Sequence, residues 1–252
     1  MSPATPFANI FGDEAFARLY DAFNPWGPGD DFYLALARRL GRGALDLGCG
    51  TGMLACRIAQ EVTPVVGVDP AEGMLRMARS RPGAERVDWI KGDARTLDLK
   101  RHFGLIYLTG HAFQVFLTDE DCLAMLKTAG RHLAPQGRLA FDTRNPAAKA
   151  WLAWTPEESR EIAEVAGLGR VEESVDTAFD EATGIASIAH RYRFLDKGSE
   201  QIGHSRIRFM ERGHLSGLIA AAGLRIDSCY GWWDGRPCSH DSEEIIVTAS
   251  AA

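Results

Sequence analysis

Between residues 44 and 141, short apolar runs alternate with helical stretches, and this alternation restricts the chain to a small set of folds. Strands are expected at Ala44–Leu47, Pro64–Val68, Val87–Ile90, Leu105–Leu108 and Gly137–Phe141. Helices are expected at Met53–Glu61, Glu72–Ser80 and Asp119–Leu133, the last with Leu123, Leu126, Ala129 and Leu133 at helical spacing. Strands that alternate with helices form right-handed crossovers and a parallel sheet. Two helices between Phe7 and Gly41, joined by the Pro- and Gly-punctuated loop Asn24–Asp31, precede this region. After residue 146 the rhythm changes. Three β-like stretches follow one another at Arg170–Ala178, Ala186–Leu195 and His204–Met210, with turns at Asp180–Gly184 and Asp196–Gly198 between them. That pattern predicts an antiparallel meander inserted into the alternating fold. A helix at Leu215–Ala222, ended by Gly223, and strands at Leu224–Tyr230 and Glu244–Thr248 close the chain.

The 252 residues suffice for a full core, and 46% apolar with 25% charged residues is the balance of a soluble globular protein. A net charge of −6 argues against a dedicated nucleic-acid binder. No apolar run approaches the roughly 20 residues that span a bilayer, and Met1–Gly12 lacks a basic stretch followed by an apolar one. The five cysteines are scattered without Cys-x-x-Cys spacing, which fits reduced thiols in a cytoplasmic protein. Cys238 and His240 lie close together but no second ligand pair accompanies them, so no metal site is expected.

The sharpest local signal is Leu45-Asp-Leu-Gly-Cys-Gly-Thr-Gly52, placed between a strand and a helix. Glycines at 48, 50 and 52 let the backbone turn tightly and approach a ligand where a Cβ would collide. Their GxGxG spacing differs from the GxGxxG of dinucleotide-binding turns. Asp69 falls at the end of the second strand, about 20 residues on, where a carboxylate can accept both hydroxyls of a ribose. Gly92-Asp93-Ala94 follows the third strand and adds a second carboxylate at the same sheet edge. Ligands of open α/β sheets bind outside the carboxyl ends of the strands, so three successive strand ends supply a backbone cradle, a ribose acceptor and a polar clamp.

Leu45–Gly52, Val66-Gly-Val-Asp-Pro70 and Gly92–Ala94 together resemble the successive motifs of class I S-adenosylmethionine (SAM)-dependent methyltransferases. The likeness runs from about Tyr20 to Asn145 and resumes at the closing strand pair. It implies an α/β, Rossmann-like, seven-stranded and mostly parallel sheet with helices on both faces and the antiparallel meander as a cap. Residues 1–43 would form an N-terminal helical lid, 44–146 the SAM-binding core, 147–212 the inserted cap and 213–252 the end of the core. Gly48, Cys49 and Gly50 would pack against the methionine part of SAM, and Tyr20 would touch its carboxylate. Asp69 would bind the ribose, Pro70 and Met74 would cover the adenine face, and Asp93 with the Ala94 amide would meet the adenine edge. The product would be S-adenosylhomocysteine.

In this family the fourth strand end faces the sulfonium and the incoming nucleophile, and here it reads Leu108-Thr-Gly-His-Ala-Phe-Gln114. His111 is then either a base or positioning group for the acceptor, or a loop cap, and Gln114 is a candidate partner. Arg144 after the fifth strand suits an anionic substrate, and Trp151 and Trp232 suit an aromatic pocket, packing roles being the alternative for each. Arg206 and Arg208 alternate with Ile207 and Phe209, so the arginines share one face of the meander. The Asn-Pro-Pro-Tyr signature of amino-group methylases acting on DNA bases or glutamine is missing. The expected function is methyl transfer to an O or N atom of a small molecule, with no nucleic-acid or membrane partner. A non-catalytic SAM binder and an NAD-dependent oxidoreductase are the rival readings.

Overall fold

The structure, a computed structural model, describes residues 14–252. Residues 7–13 of the expected first helix lie outside that range. Helices α1 (Glu14–Phe23) and α2 (Pro28–Leu40) lead into the alternating core. The core runs β1 (Ala44–Leu47), α3 (Met53–Ile58), β2 (Val65–Asp69), α4 (Glu72–Ser80), β3 (Val87–Lys91), β4 (Phe103–Leu108), α5 (Asp119–His132) and β5 (Leu133–Arg144). The meander follows as β6 (Glu161–Val165), β7 (Gly169–Asp180), β8 (Ile185–Phe194) and β9 (Ser199–Arg208). The chain then returns to the core through α6 (Arg212–Ala221), β10 (Leu224–Tyr230) and β11 (Glu244–Ala251).

Seven strands form one sheet in the order β10-β11-β5-β4-β1-β2-β3. All pairings from β5 to β3 are parallel, and β11 alone runs antiparallel to both its neighbours, β5 and β10. Alternation along each strand splits the core into two layers. Leu45, Leu47, Ile106 and Leu108 pack with Met125, Leu126 and Ala129 of α5 on one face. Ala44, Leu105 and Tyr107 pack with Leu34 of α2 and Leu54, Ala55 and Ile58 of α3 on the other. Burying each of these large apolar side chains contributes about 1.5–3 kcal/mol, so strands covered on both faces carry much of the stability. Local signals set the helix ends. The Thr118 hydroxyl accepts the Asp121 amide at 3.2 Å to start α5, and Gly41, with φ 60°, ends α2.

The meander forms a second, antiparallel sheet in the order β6-β7-β8-β9. The sequence predicts three strands there, and the structure adds β6, whose mostly exposed Glu-Ile-Ala-Glu run has no apolar alternation to announce it. At one end Val171, Tyr192 and Phe194 pack on Leu19, Phe16 and Phe23 of α1. At the other, Trp151 stacks on Phe179 with centroids 3.8 Å apart and meets Phe209 edge-on. Arg208 crosses to the core and donates to Asp119 at the start of α5 at 2.7 Å, so its face is not simply solvated. Among the described residues, no helix is long and apolar enough to cross a membrane.

The turn after β1 is held from below by Trp89 of β3. Gly52 has a φ of 76°, and a Cβ there would overlap the Trp89 indole and approach the Ala78 Cβ to 2.9 Å. Gly52→Ala therefore combines left-handed strain with overpacking. It is expected to lower the melting temperature by roughly 5–10 °C in a thermal melt, whereas an unchanged Tm would show that the turn is not locked by Trp89.

Candidate active site

The parallel strands β1, β2, β4 and β5 end on one edge of the sheet, and the order reverses between β1 and β4, the position where such sheets open a crevice. The glycine turn sits at this point. Gly48, Gly50 and Gly52 all have positive φ, and a Cβ on Gly50 would meet nothing within 4 Å, so the turn leaves an open cradle above itself. The Gly48 and Cys49 amides both donate to the Val68 carbonyl, at 2.8 and 3.0 Å. The Gly50 amide donates to Asp69 Oδ2 at 2.9 Å. These three N–H groups are committed to β2 and are not turned outward to cradle a pyrophosphate, which separates this turn from a dinucleotide-binding one. Asp69 also accepts the Ala71 amide at 2.8 Å and is 7% exposed. Burial raises its pKa while the two amides oppose the rise. A carboxylate offers about four lone-pair sites, so Asp69 retains capacity for hydroxyl donors. Beneath the turn, the buried Asp46 Oδ1 has no hydrogen-bond partner. An open backbone cradle flanked by buried carboxyls fits SAM, a cation with a ribose.

Helix α1 lies against α4 beside this cradle. Met74, buried, packs with Ala17 and Tyr20 of α1. Asp21 joins α1 to the turn, accepting the Thr51 hydroxyl at 2.5 Å and pairing with Arg81. The Tyr20 hydroxyl would lie 3.4 Å from a Cβ on Gly110, after β4. Burial first, then Asp30, Asp142, Asp21 and Asp69, push its pKa up to about 12. Tyr20 is thus placed between Asp69 and the end of β5. Pro70 is exposed at the rim. Asp93 is engaged by Arg95, whose guanidinium donates to both its oxygens and to Asp121, and these bonds hold the Asp93 carboxyl below its usual range.

A second group assembles at the ends of β4 and β5. Gly110 and His111 both adopt positive φ, a conformation uncommon outside glycine, and the His111 amide is fixed there by Asp142 Oδ2 at 2.7 Å. His111 Nε2 lies 3.0 and 3.1 Å from the two oxygens of Glu244. An ionised carboxylate only accepts, so Nε2 carries the proton in this contact. Asp142 and Tyr33 are both fully buried, and the Tyr33 hydroxyl donates to Asp142 Oδ1 at 2.6 Å. Burial raises the Asp142 pKa, and His111 and the Tyr33 bond oppose it. Donor atoms of His111, Asp142 and Glu244 lie within 4.8 Å of one another, a separation that a metal ion could bridge. Each Asp142 oxygen accepts one hydrogen bond, from the Tyr33 hydroxyl and from the His111 amide.

Gln114 and Arg144, both expected from sequence, meet here. Arg144 Nη1 donates to Gln114 Oε1 at 3.0 Å, and the guanidinium lies 5.0 Å over the Trp154 ring. Trp151 instead packs within the second sheet, and Trp232 occupies the loop after β10, half-buried. No local pattern in the sequence marks Tyr33 or Glu244 as site residues. Tyr33 reads as one more apolar-face residue of α2, and Glu244 reaches His111 only because β11 runs backwards beside β5.

Residues 44–137 match the family described as methyltransferase domain. A cypemycin N-terminal methyltransferase from a Streptomyces species is 27% identical over 209 residues, 82% of each chain. The CcbJ methyltransferase of Streptomyces caelestis shares the fold with a TM-score of 0.78 at 19% identity, over 97% of this chain and 98% of that one. The SAM-bound amino pentose methyltransferase CalS10 of Micromonospora echinaspora aligns over the whole of both chains with a TM-score of 0.69 at 20% identity.

Burial, reinforced by Asp69 and Asp30 against the pull of the neighbouring Tyr107 hydroxyl, pushes the Asp46 pKa up to about 8. In the unfolded chain the same carboxyl titrates near pH ~4, so folding takes up a proton across that window and stability falls as pH rises through it. Asn mimics the protonated acid. Asp46→Asn should therefore match the wild type near pH 4 and gain up to about 1.4 kcal/mol of relative stability per pH unit towards pH 8 in urea melts. A difference independent of pH would contradict this.

Proposed function

The chain is a SAM-dependent methyltransferase of the class I fold, and from that premise we propose that it methylates an oxygen or nitrogen atom of a small molecule, with His111 as the base. The observation that carries this reading is the His111–Glu244 pair at the end of β4, one strand from the glycine turn. When bound, SAM supplies a methyl group on a sulfonium, an electrophile that brings its own leaving group. The chain's task is to align and to exclude water. In this reading Gly48, Cys49, Gly50 and Tyr20 surround the methionine end, and Asp69 accepts the ribose hydroxyls. Pro70 and Met74 cover the adenine, and Asp93 with Ala94 meets its edge, Asp93 sharing its oxygens with Arg95. Helix α1 and the second sheet serve as lid and cap over the acceptor.

His111 accepts the acceptor's proton at Nδ1, while Glu244 at Nε2 fixes the tautomer and stabilises the imidazolium, the division of labour of a carboxylate–histidine pair. Asp142 holds the backbone that carries the ring. The charge of the site favours nitrogen over oxygen. An amine arrives as ammonium, is attracted by Glu244 and Asp142, and is neutralised by His111 before transfer. A relative named as an N-terminal methyltransferase supports the same choice.

His111→Gln is expected to lower kcat by about 10²–10⁴-fold while leaving the Kd for SAM within twofold of wild type. Glu244→Gln, which keeps a hydrogen bond but no charge, should fall between the two. The rate should withstand EDTA, since methyl transfer from a sulfonium brings its own leaving group and asks for no Lewis acid. Full activity of His111→Gln would remove His111 from the reaction, and loss of activity with EDTA would favour a metal at the His111–Asp142–Glu244 cluster.

A further inference from the structure

Arg144 and Glu244 are direct partners across the antiparallel β5–β11 pair. Opposite charges in that relation ordinarily meet. Here they do not. Glu244 is taken by His111 and Arg144 by Gln114 Oε1 and the Trp154 face, and among the described residues no carboxylate pairs with Arg144. Arg144 is part-buried, and desolvation pulls its pKa down although Glu244, Asp142 and Tyr20 lie near enough to oppose the shift. A guanidinium partly withdrawn from water and incompletely paired carries a desolvation cost. Its place is nevertheless enforced, because Gln114 is in turn held by the Arg208 carbonyl of β9 at 3.0 Å. One N–H group is used, and the planar fork that remains matches a carboxylate.

Building on the reading of His111 as the base for an amine, we propose that the acceptor is a zwitterion, in which the amine also carries a carboxylate within a few Å. Its ammonium faces Glu244 and His111, and its carboxylate faces Arg144. The two residues are opposed on the ladder, so the groups that would meet the two ends of the acceptor leave the sheet side by side. α-Amino acids, with one carbon between ammonium and carboxylate, carry such neighbouring charges. The aminoacyl end of SAM is the rival partner for Arg144, because Tyr20, assigned to that end, lies near the guanidinium, but the strand spacing favours the acceptor. The glycine turn follows β1, two strands from β5, a distance of about 10 Å at the usual strand spacing.

The test compares methyl transfer to glycine, L-alanine and L-phenylalanine with transfer to methylamine, ethylamine and phenethylamine, the same amines without the carboxylate. S-adenosylhomocysteine release is followed, and calorimetry with SAM runs alongside. The wild type should use at least one amino acid with a KM at least about thirtyfold below that of its matched amine. In Arg144→Gln this preference should collapse to within about threefold with the Kd for SAM unchanged, and Arg144→Lys, which keeps charge without the fork, should recover part of it. Equal use of both sets, a preference that survives in Arg144→Gln, or silence towards every amino acid while SAM binds would overturn the proposal. So would loss of SAM binding in Arg144→Gln, which would place Arg144 at the cofactor. Failure of the wild type to bind SAM would instead overturn the reading on which the proposal rests.

Discussion

The buried carboxyl of Asp142 is the interaction on which the ends of β4, β5 and β11 depend. It reaches α2 through the Tyr33 hydroxyl at 2.6 Å and the β4 turn through the His111 amide at 2.7 Å, while its own backbone belongs to β5. Taking a carboxylate out of water costs several kcal/mol unless hydrogen bonds replace the lost solvation. Two short bonds do so here, and burial still leaves the pKa raised. The cost is set against a gain in geometry. With Asp142 in place, His111 is kept at positive φ and its ring is directed to Glu244, which β11 brings from the far end of the chain.

Two kinds of chemistry are thereby separated along one sheet edge. The β1 and β2 ends carry the open glycine cradle and Asp69, committed through backbone amides. The β4, β5 and β11 ends carry a histidine, two carboxylates and a guanidinium. Tyr20 of α1 stands between them, and β9 of the second sheet reaches down to Gln114. Methyl transfer from a donor that brings its own leaving group asks for alignment more than for acid–base power, so a rigid edge shared by two adjoining sites suits it.

The core was legible in the sequence because each βαβ unit states its period locally. The helix at Glu72–Ser80 and the strand at Leu224–Tyr230 were placed to the residue, and Asp69 lies where the spacing from the glycines puts it. The glycine motif and Asp69 are local, one strand apart, and so could be read together. The Glu244–His111 and Tyr33–Asp142 contacts span more than 100 residues each and depend on registers that no local pattern encodes. β6 was missed for a related reason, since a strand with exposed glutamates on an edge shows no alternation. Trp151 illustrates the opposite case. An aromatic residue near a strand end suggests a pocket, and the stacked Phe179 shows that it also fills a core.

The central claim is that the cradle formed by Gly50 and Asp69 holds SAM. Isothermal titration of the purified protein with SAM, S-adenosylhomocysteine and NAD, repeated on Asp69→Ala, tests it most directly. The account predicts micromolar binding of the first two, none of NAD, and a loss of at least about tenfold in the variant, since one carboxylate serving two hydroxyls is worth roughly 1.5–3 kcal/mol per charged hydrogen bond. Heat released by NAD alone, or SAM binding that ignores the loss of Asp69, would contradict it.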